Sequence, residues 1–124
     1  MHSLEGHEGC VVGLLWQPAT ASTLATYSLD STIKFWDAPE GICLRSISCD
    51  SAVFSASFSA DGLLLAAGTN SGSVGVWQSN SKRRVCTFSA DETYGATSDI
   101  QFGPAKTLAV TWSNRGLGII QAAG

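Results

Sequence analysis

Charge is scarce in this chain. Only 14% of its 124 residues are Asp, Glu, Lys or Arg, against 44% hydrophobic residues, and the formal net charge is −3. So much apolar content with so little charge excludes a disordered tail. A balance this close to neutral gives no bulk attraction to nucleic acid or to an anionic membrane. Long apolar runs are missing too: none approaches the roughly 20 residues that a helix needs to cross a bilayer. The opening MHSLEGHEG lacks the basic start and apolar stretch of a secretory signal. Cysteine pairs are absent in the same sense. Cys10, Cys43, Cys49 and Cys86 form no CxxC and match no histidine spacing, so no metal site is expected. Without a signal or an N-x-S/T sequon, a disulfide framework has no support, and a reducing compartment, cytosol or nucleus, is expected. Three of the four lie in apolar strand-like runs, where reduced cysteine behaves as a small hydrophobe. GTNSGS (68–73) has glycines but neither the lysine nor the following helix of a phosphate loop, so it reads as a hairpin turn and no cofactor is expected.

What the chain does have is a repeat. Trp36 and Trp77 are 41 residues apart and Ile120 follows 43 later; Leu24, Leu65 and Leu108 keep the same two steps. Each of these leucines precedes its tryptophan or isoleucine by 12 residues, and the aromatic anchors Trp16, Phe58 and Phe102 recur at 42 and 44. Three copies of one unit therefore fill the chain, with 13 glycines spread along it as turn residues rather than gathered into a linker.

Each copy reads as short strands. CVVGLLW (10–16) is continuously apolar, as an inner strand buried on both faces would be. TLATYS (23–28) and TIKFWD (32–37) flank the tight LDS turn, with Ile33 and Phe35 on one face and Trp36 on the other. ICLRSI (42–47) is less apolar and carries Arg45, which suits an outer strand. The second copy repeats the series as AVFSASF, LLLAAG, SVGVWQ and RVCTFS. The third gives TSDIQF, TLAVTW and LGIIQ. No helix is expected. Four strands per unit of about 42 residues, each sheet needing neighbours on both faces, make the blades of a β-propeller. The expected architecture is all-β, about three blades of four-stranded antiparallel sheet over a single domain: blade 1 about 4–47, blade 2 about 48–89, blade 3 about 90–124. The third blade is expected to lack its outermost strand, leaving LGIIQ as an open edge. Further blades of a parent chain, self-association, or the His2-Ser3-Leu4 segment of a neighbour are expected to cover it.

On these residues the chain resembles the WD-repeat family. Copy one carries Gly6-His7, Asp30 six residues before Trp36, and Trp36-Asp37. Copy two keeps Trp77-Gln78 but has Cys49 and Ser71 where the histidine and aspartate belong. Copy three departs further, with Thr93, Asn114 and Ile120-Gln121. The resemblance implies a structural network of His7, Asp30, a strand hydroxyl (Ser28, or Thr26 on the same face) and the Trp36 indole. Serine, histidine and aspartate also build nucleophile triads. Nothing here resembles a GxSxG elbow or an oxyanion loop, so no catalytic residue and no enzyme activity are expected.

The resemblance also implies which loops share an end of the propeller. One end collects Glu5, Glu8, Asp30, Asp50, Asp91 and Glu92 against Arg115. The other has Lys82, Arg83 and Lys106 against Glu40 and Asp61. In the family the first end is the usual docking surface, and an acidic one favours a protein partner with a basic segment. The expected function is a non-catalytic scaffold that docks other proteins within a larger complex. The alternative is an RNA- or DNA-associated propeller using the basic turn Lys82-Arg83-Arg84. Tyr94 and Trp112 are expected to pack between blades rather than to contact a ligand.

Overall fold

The computed structural model describes residues 6–18, 22–79, 83–89, 92–104, 107–114 and 116–121. Among them are eleven strands and one 3₁₀ turn, Glu92–Tyr94. The strands are β1 (Val11–Trp16), β2 (Thr23–Ser28), β3 (Thr32–Asp37), β4 (Ile42–Ser48), β5 (Val53–Phe58), β6 (Leu64–Thr69), β7 (Val74–Gln78), β8 (Arg84–Phe88), β9 (Thr97–Phe102), β10 (Thr107–Trp112) and β11 (Gly116–Gln121). Consecutive strands pair antiparallel into three sheets: β1-β2-β3-β4, β5-β6-β7-β8 and β9-β10-β11. The architecture is the all-β one that the repeat implies, two four-stranded blades and a three-stranded third.

Registers follow the repeat. Leu24 pairs with Trp36, Leu65 with Trp77 and Leu108 with Ile120. Turn chemistry fixes them. The turns between the second and third strands of a blade (the b–c turns) need a left-handed backbone at one place, and Gly72 supplies it in the second blade at φ 89° while Ser31 adopts it in the first at φ 73°. Gly75 meets a different demand: a Cβ there would lie 2.5 Å from the Trp77 ring, so only a glycine lets the indole lie flat on the sheet.

Two apolar seams hold the blades together. Between blades 1 and 2, Ala25, Ile33, Phe35 and Ile47 pack on Val53, Ala56, Leu65, Ala67 and Trp77. Between blades 2 and 3, Leu64, Ala66, Val74 and Val76 pack on Ile100, Leu108, Val110 and Trp112. Each leucine or isoleucine so buried stabilises by roughly 1.5–3 kcal/mol. The middle blade contributes to both seams, and all six residues of β6 are buried. Its small side chains (LLAAGT) are what close sheet packing on both faces requires. Polar contacts cross the seams as well. Gln17 donates to the Gly62 carbonyl and to Ser79 Oγ at 2.9 and 3.0 Å, and the Arg45 guanidinium, seated on the Phe35 ring, donates to the Ser79 carbonyl. The Trp112 indole N–H donates to the Gly72 carbonyl at 2.8 Å, and the Ser57 hydroxyl accepts the Phe102 N–H at 3.2 Å.

Two expectations need correction. The first strand is where the pattern places it but is not buried on both faces: Val11, Val12, Leu14 and Trp16 are exposed. One face of blade 1 packs on blade 2, and within the described residues no blade lies against the other. The cysteines do not act uniformly as small core hydrophobes either. Cys10 and Cys43 are exposed, and only Cys49 and Cys86 are partly buried; all four are free thiols. Tyr94 and Trp112 do pack between blades, edge to face at 5.2 Å, with Phe88 of the second blade 5.7 Å from Trp112.

Candidate docking face

The loops entering β1 and β5, and the segment leading into β9, meet the b–c turns at one end of the molecule. Each pair is tied, and by different chemistry. In the first blade Leu29 N–H donates to the Cys10 carbonyl at 2.9 Å. Above that bond sits the polar network. The Trp36 indole N–H donates to Thr26 Oγ1 at 2.8 Å, and Thr26 Oγ1 lies 2.6 Å from His7 Nε2. The Asp30 carboxylate can only accept, so His7 Nδ1–H donates to Asp30 Oδ2 at 3.0 Å. Asp30 also accepts the Glu8 N–H at 2.8 Å, the Thr32 N–H at 3.0 Å and the Thr32 hydroxyl. Burial alone would raise the Asp30 carboxyl pKa. The hydrogen bonds from the Thr32 hydroxyl, Glu8 N–H, His7 and Thr32 N–H outweigh it and hold the group far below the usual carboxylate range.

His7, Asp30 and Trp36 are thus brought together, and the hydroxyl between imidazole and indole is Thr26. Ser28 lies at the strand end opposite Val11, where its Oγ accepts the Asp30 N–H at 3.1 Å and shapes the turn. Thr26 is one pleat deeper, opposite Lys34 and next to the indole. Sequence reasoning missed Thr32, whose hydroxyl bonds Asp30 and approaches His7 Nδ1 at 3.1 Å. Its signal was a hydroxyl two residues after a turn aspartate, the local pattern by which Asp caps its own turn. Chemically the array is closed. The Thr26 hydroxyl is buried between two rings, and Ser28 Oγ is turned toward backbone rather than toward the imidazole.

The second blade makes the same tie with the roles exchanged. The carboxylate is Asp50, on the entering loop, and it accepts from the hydroxyls of Ser71 and Ser73 on the b–c turn at 3.5 and 3.1 Å. Asn70 N–H donates to the Ala52 carbonyl at 2.8 Å, and Ser71 N–H to Ser51 Oγ at 3.2 Å. Where the first blade has an imidazole, Cys49, Asp50, Thr69, Trp77 and Arg84 line a cavity of about 20 Å³, room for one water. Burial first, and the Asp50 charge second, push the Cys49 thiol up to about 12, with Arg84 opposing, so it is protonated and unreactive at neutral pH. In the third blade the backbone makes the tie: Asn114 N–H donates to the Tyr94 carbonyl and Ser113 N–H to that of Ala96, each at 2.9 Å.

Of the expected docking residues, Glu8 and Asp50 are exposed at this end. Asp50 is engaged as above. Beside Glu8 an open hollow of about 220 Å³ is lined by Gly6, Glu8, Asp30, Thr32 and Lys34. Glu5, Asp91 and Arg115 lie outside the described residues, as do the side chain of Glu92, the basic Lys82 and Lys106, and His2-Ser3-Leu4. The opposite end carries one acid that the loop sorting missed: Asp37 ends β3 and its Oδ1 accepts the Glu40 N–H at 3.1 Å. Arg84 belongs to β8 rather than to the turn, and its guanidinium lies over the Trp77 ring at 5.1 Å. Among the described residues no group of three or more His, Cys, Asp or Glu could hold a metal ion.

Antiparallel blades stacked face to face, two of four strands and one of three among the described residues, each tied between its entering loop and its b–c turn, define a sector of a β-propeller. The family model for the WD domain, G-beta repeat, matches residues 1–37 and 41–78, and the chain belongs to the WD40 family. The crystal structure of RRP9 WD40 repeats matches with a TM-score of 0.86 and 25% identity over 95% of this chain and 37% of that one; the structure of U3-55K gives the same score and identity. Among curated proteins the chain is similar to coronin-like protein crn1 of Schizosaccharomyces pombe (35% identity over 82 residues, 66% of this chain and 14% of that protein). Pre-mRNA-processing factor 19 of Oryza sativa subsp. japonica is 34% identical over 91 residues, 71% of this chain and 17% of that protein. The chain thus spans well under a fifth of these relatives and somewhat over a third of the solved propellers.

Proposed function

We propose that this chain is a non-catalytic docking scaffold of the cytosol or nucleus, and that it presents the loop end just described to a protein partner bearing a basic segment. The observation that carries this is the tying of that end. In all three blades entering loop and b–c turn are bonded together, so the loops form a platform held before any partner arrives, and preorganisation lowers the entropic cost of binding. The hollow beside Glu8 is of a size to take a lysine or arginine side chain, with the exposed Glu8 to pair it and Lys34 in the same lining opposing it. The WD-repeat relatives support a scaffold role in general terms, and no reactive nucleophile accompanies the His7–Asp30 pair.

The test is a photo-crosslinking amino acid placed at position 8, and in a second variant at position 61 on the opposite end. The expected outcome is that proteins crosslinked from position 8 are enriched over those from position 61, and that the contact peptide is rich in Lys or Arg. Equal capture from both positions overturns the assignment of the face. The nucleic-acid alternative predicts instead that the chain binds a short RNA with a steep salt dependence, lost when Lys82 and Arg83 are reversed.

A further inference from the structure

Blade 2 keeps the tryptophan of the first blade's network but not the groups that hold it. The registers correspond: Thr26 stands two residues after Leu24, which pairs with Trp36, and Ala67 stands two after Leu65, which pairs with Trp77. The Trp36 indole N–H donates to the Thr26 hydroxyl, whereas Ala67 has no side-chain acceptor to offer. Cys49 stands where the first blade has His7. Trp77 is nevertheless only 4% exposed, and an indole N–H at that depth is normally bonded. Among the described residues no group accepts it, yet its nitrogen is not one of the atoms sealed from solvent. The six-membered ring lies on Gly75, and both residues line the cavity of about 20 Å³ described above.

A water needs ~10–15 Å³ of such space and two to four polar partners, and this cavity supplies both. Its lining also selects the occupant. The Trp77 N–H requires an acceptor, and the Arg84 guanidinium lies over the same ring at 5.1 Å, so a cation is opposed. The Asp50 carboxylate accepts the Ser71 and Ser73 hydroxyls, retains lone pairs for a further donor and repels an anion. A water accepts and donates at once. We propose that a bound water completes the second blade's network where an imidazole completes the first. It accepts the Trp77 indole N–H and donates to Asp50 or to the Thr69–Ser73 hydroxyl pair, itself bonded at 2.8 Å. The protonated Cys49 thiol, a weak donor and weak acceptor, leaves this role to solvent. Every lining residue belongs to blade 2, so the site does not depend on what adjoins the chain at either end.

The experiment is water-selected NOE spectroscopy of the isotope-labelled chain, with the Trp77 indole resonance assigned by its loss in Trp77→Phe. The Trp77 N–H is expected to show a cross-peak to water with the sign of a water that tumbles with the protein. Trp112 is the internal control: it is equally buried and donates to the Gly72 carbonyl, so no such cross-peak is expected. In Cys49→Met the longer, flexible side chain fills the cavity. The Trp77 cross-peak is expected to vanish there and its indole proton to move upfield. Because the Thr69 and Ser73 hydroxyls remain in that variant, the loss separates a bound water from exchange relayed through hydroxyls. Should Cys49→Met fail to fold, a crystal structure of the parent decides, with a solvent peak expected about 3 Å from Trp77 Nε1. A parent without the cross-peak, a Cys49→Met variant that keeps it, or no solvent peak at Nε1 overturns the proposal. So does a Trp77 indole shift that follows chloride concentration, which would mean an anion.

Discussion

His7 and Asp30 share one proton-bearing contact, and each is also bonded to a second group: Thr26 for the imidazole, the Glu8 N–H for the carboxylate. Truncating either to alanine is expected to cost roughly 1–3 kcal/mol, the usual penalty for stranding a buried polar partner. The double variant is expected to lose clearly less than the sum, because the two losses overlap. Urea melts of the four proteins give the cycle, and additive losses would show that the pair does not act together. The pH dependence has a definite sign. Asp30 is held below its unfolded pKa, so its contribution is present above about pH 4 and is lost as the pH falls through that value toward the depressed one. The stability advantage of the parent over Asp30→Asn is therefore expected to shrink between pH 5 and 2. The tetrad's members were legible through the family resemblance, with one ambiguity that a strand's period of two cannot resolve. Thr26 and Ser28 point the same way, and only the register, which sets Thr26 beside the indole and Ser28 at the turn, decides which hydroxyl bridges.

At the scale of the strand, the 41- and 43-residue steps placed all eleven elements, because side-chain alternation and turn residues are local properties. Burial was less legible. CVVGLLW is as apolar as any core strand, yet β1 is half open, since apolarity records what a strand is suited to touch and not whether the neighbour is present. Loop charge had the same weakness: Asp37 was counted as a strand residue although its carboxylate serves the turn. The contact between blades 2 and 3 is the one that the sequence placed by type alone, two aromatics expected between blades. Its geometry makes a prediction. Trp112→Phe removes the indole N–H from the Gly72 carbonyl and part of the ring from the Phe88–Tyr94 cluster. It is expected to cost roughly 1–3 kcal/mol, whereas Trp16→Phe, on the open face, is expected to change the urea midpoint hardly at all. Equal effects would mean that the seam does not depend on Trp112.

At the scale of the molecule, the proposed division of labour is between sides and ends. The sides of the blades carry two closed apolar seams, and the loop end carries a fixed platform with acids at its rim. Rim charges steer encounters more than they hold complexes. The measurement that tests the docking account most directly is therefore the association rate with the crosslinked partner, taken at low and at high salt. It is to be compared for the parent, a Glu8→Lys, Asp91→Lys, Glu92→Lys variant, and a Lys82→Glu, Arg83→Glu variant. The first variant is expected to associate roughly tenfold more slowly at low salt, with the difference closing at high salt, and the second to associate like the parent. If the acidic-end variant associates as fast as the parent at low salt, the loop end is not the docking face.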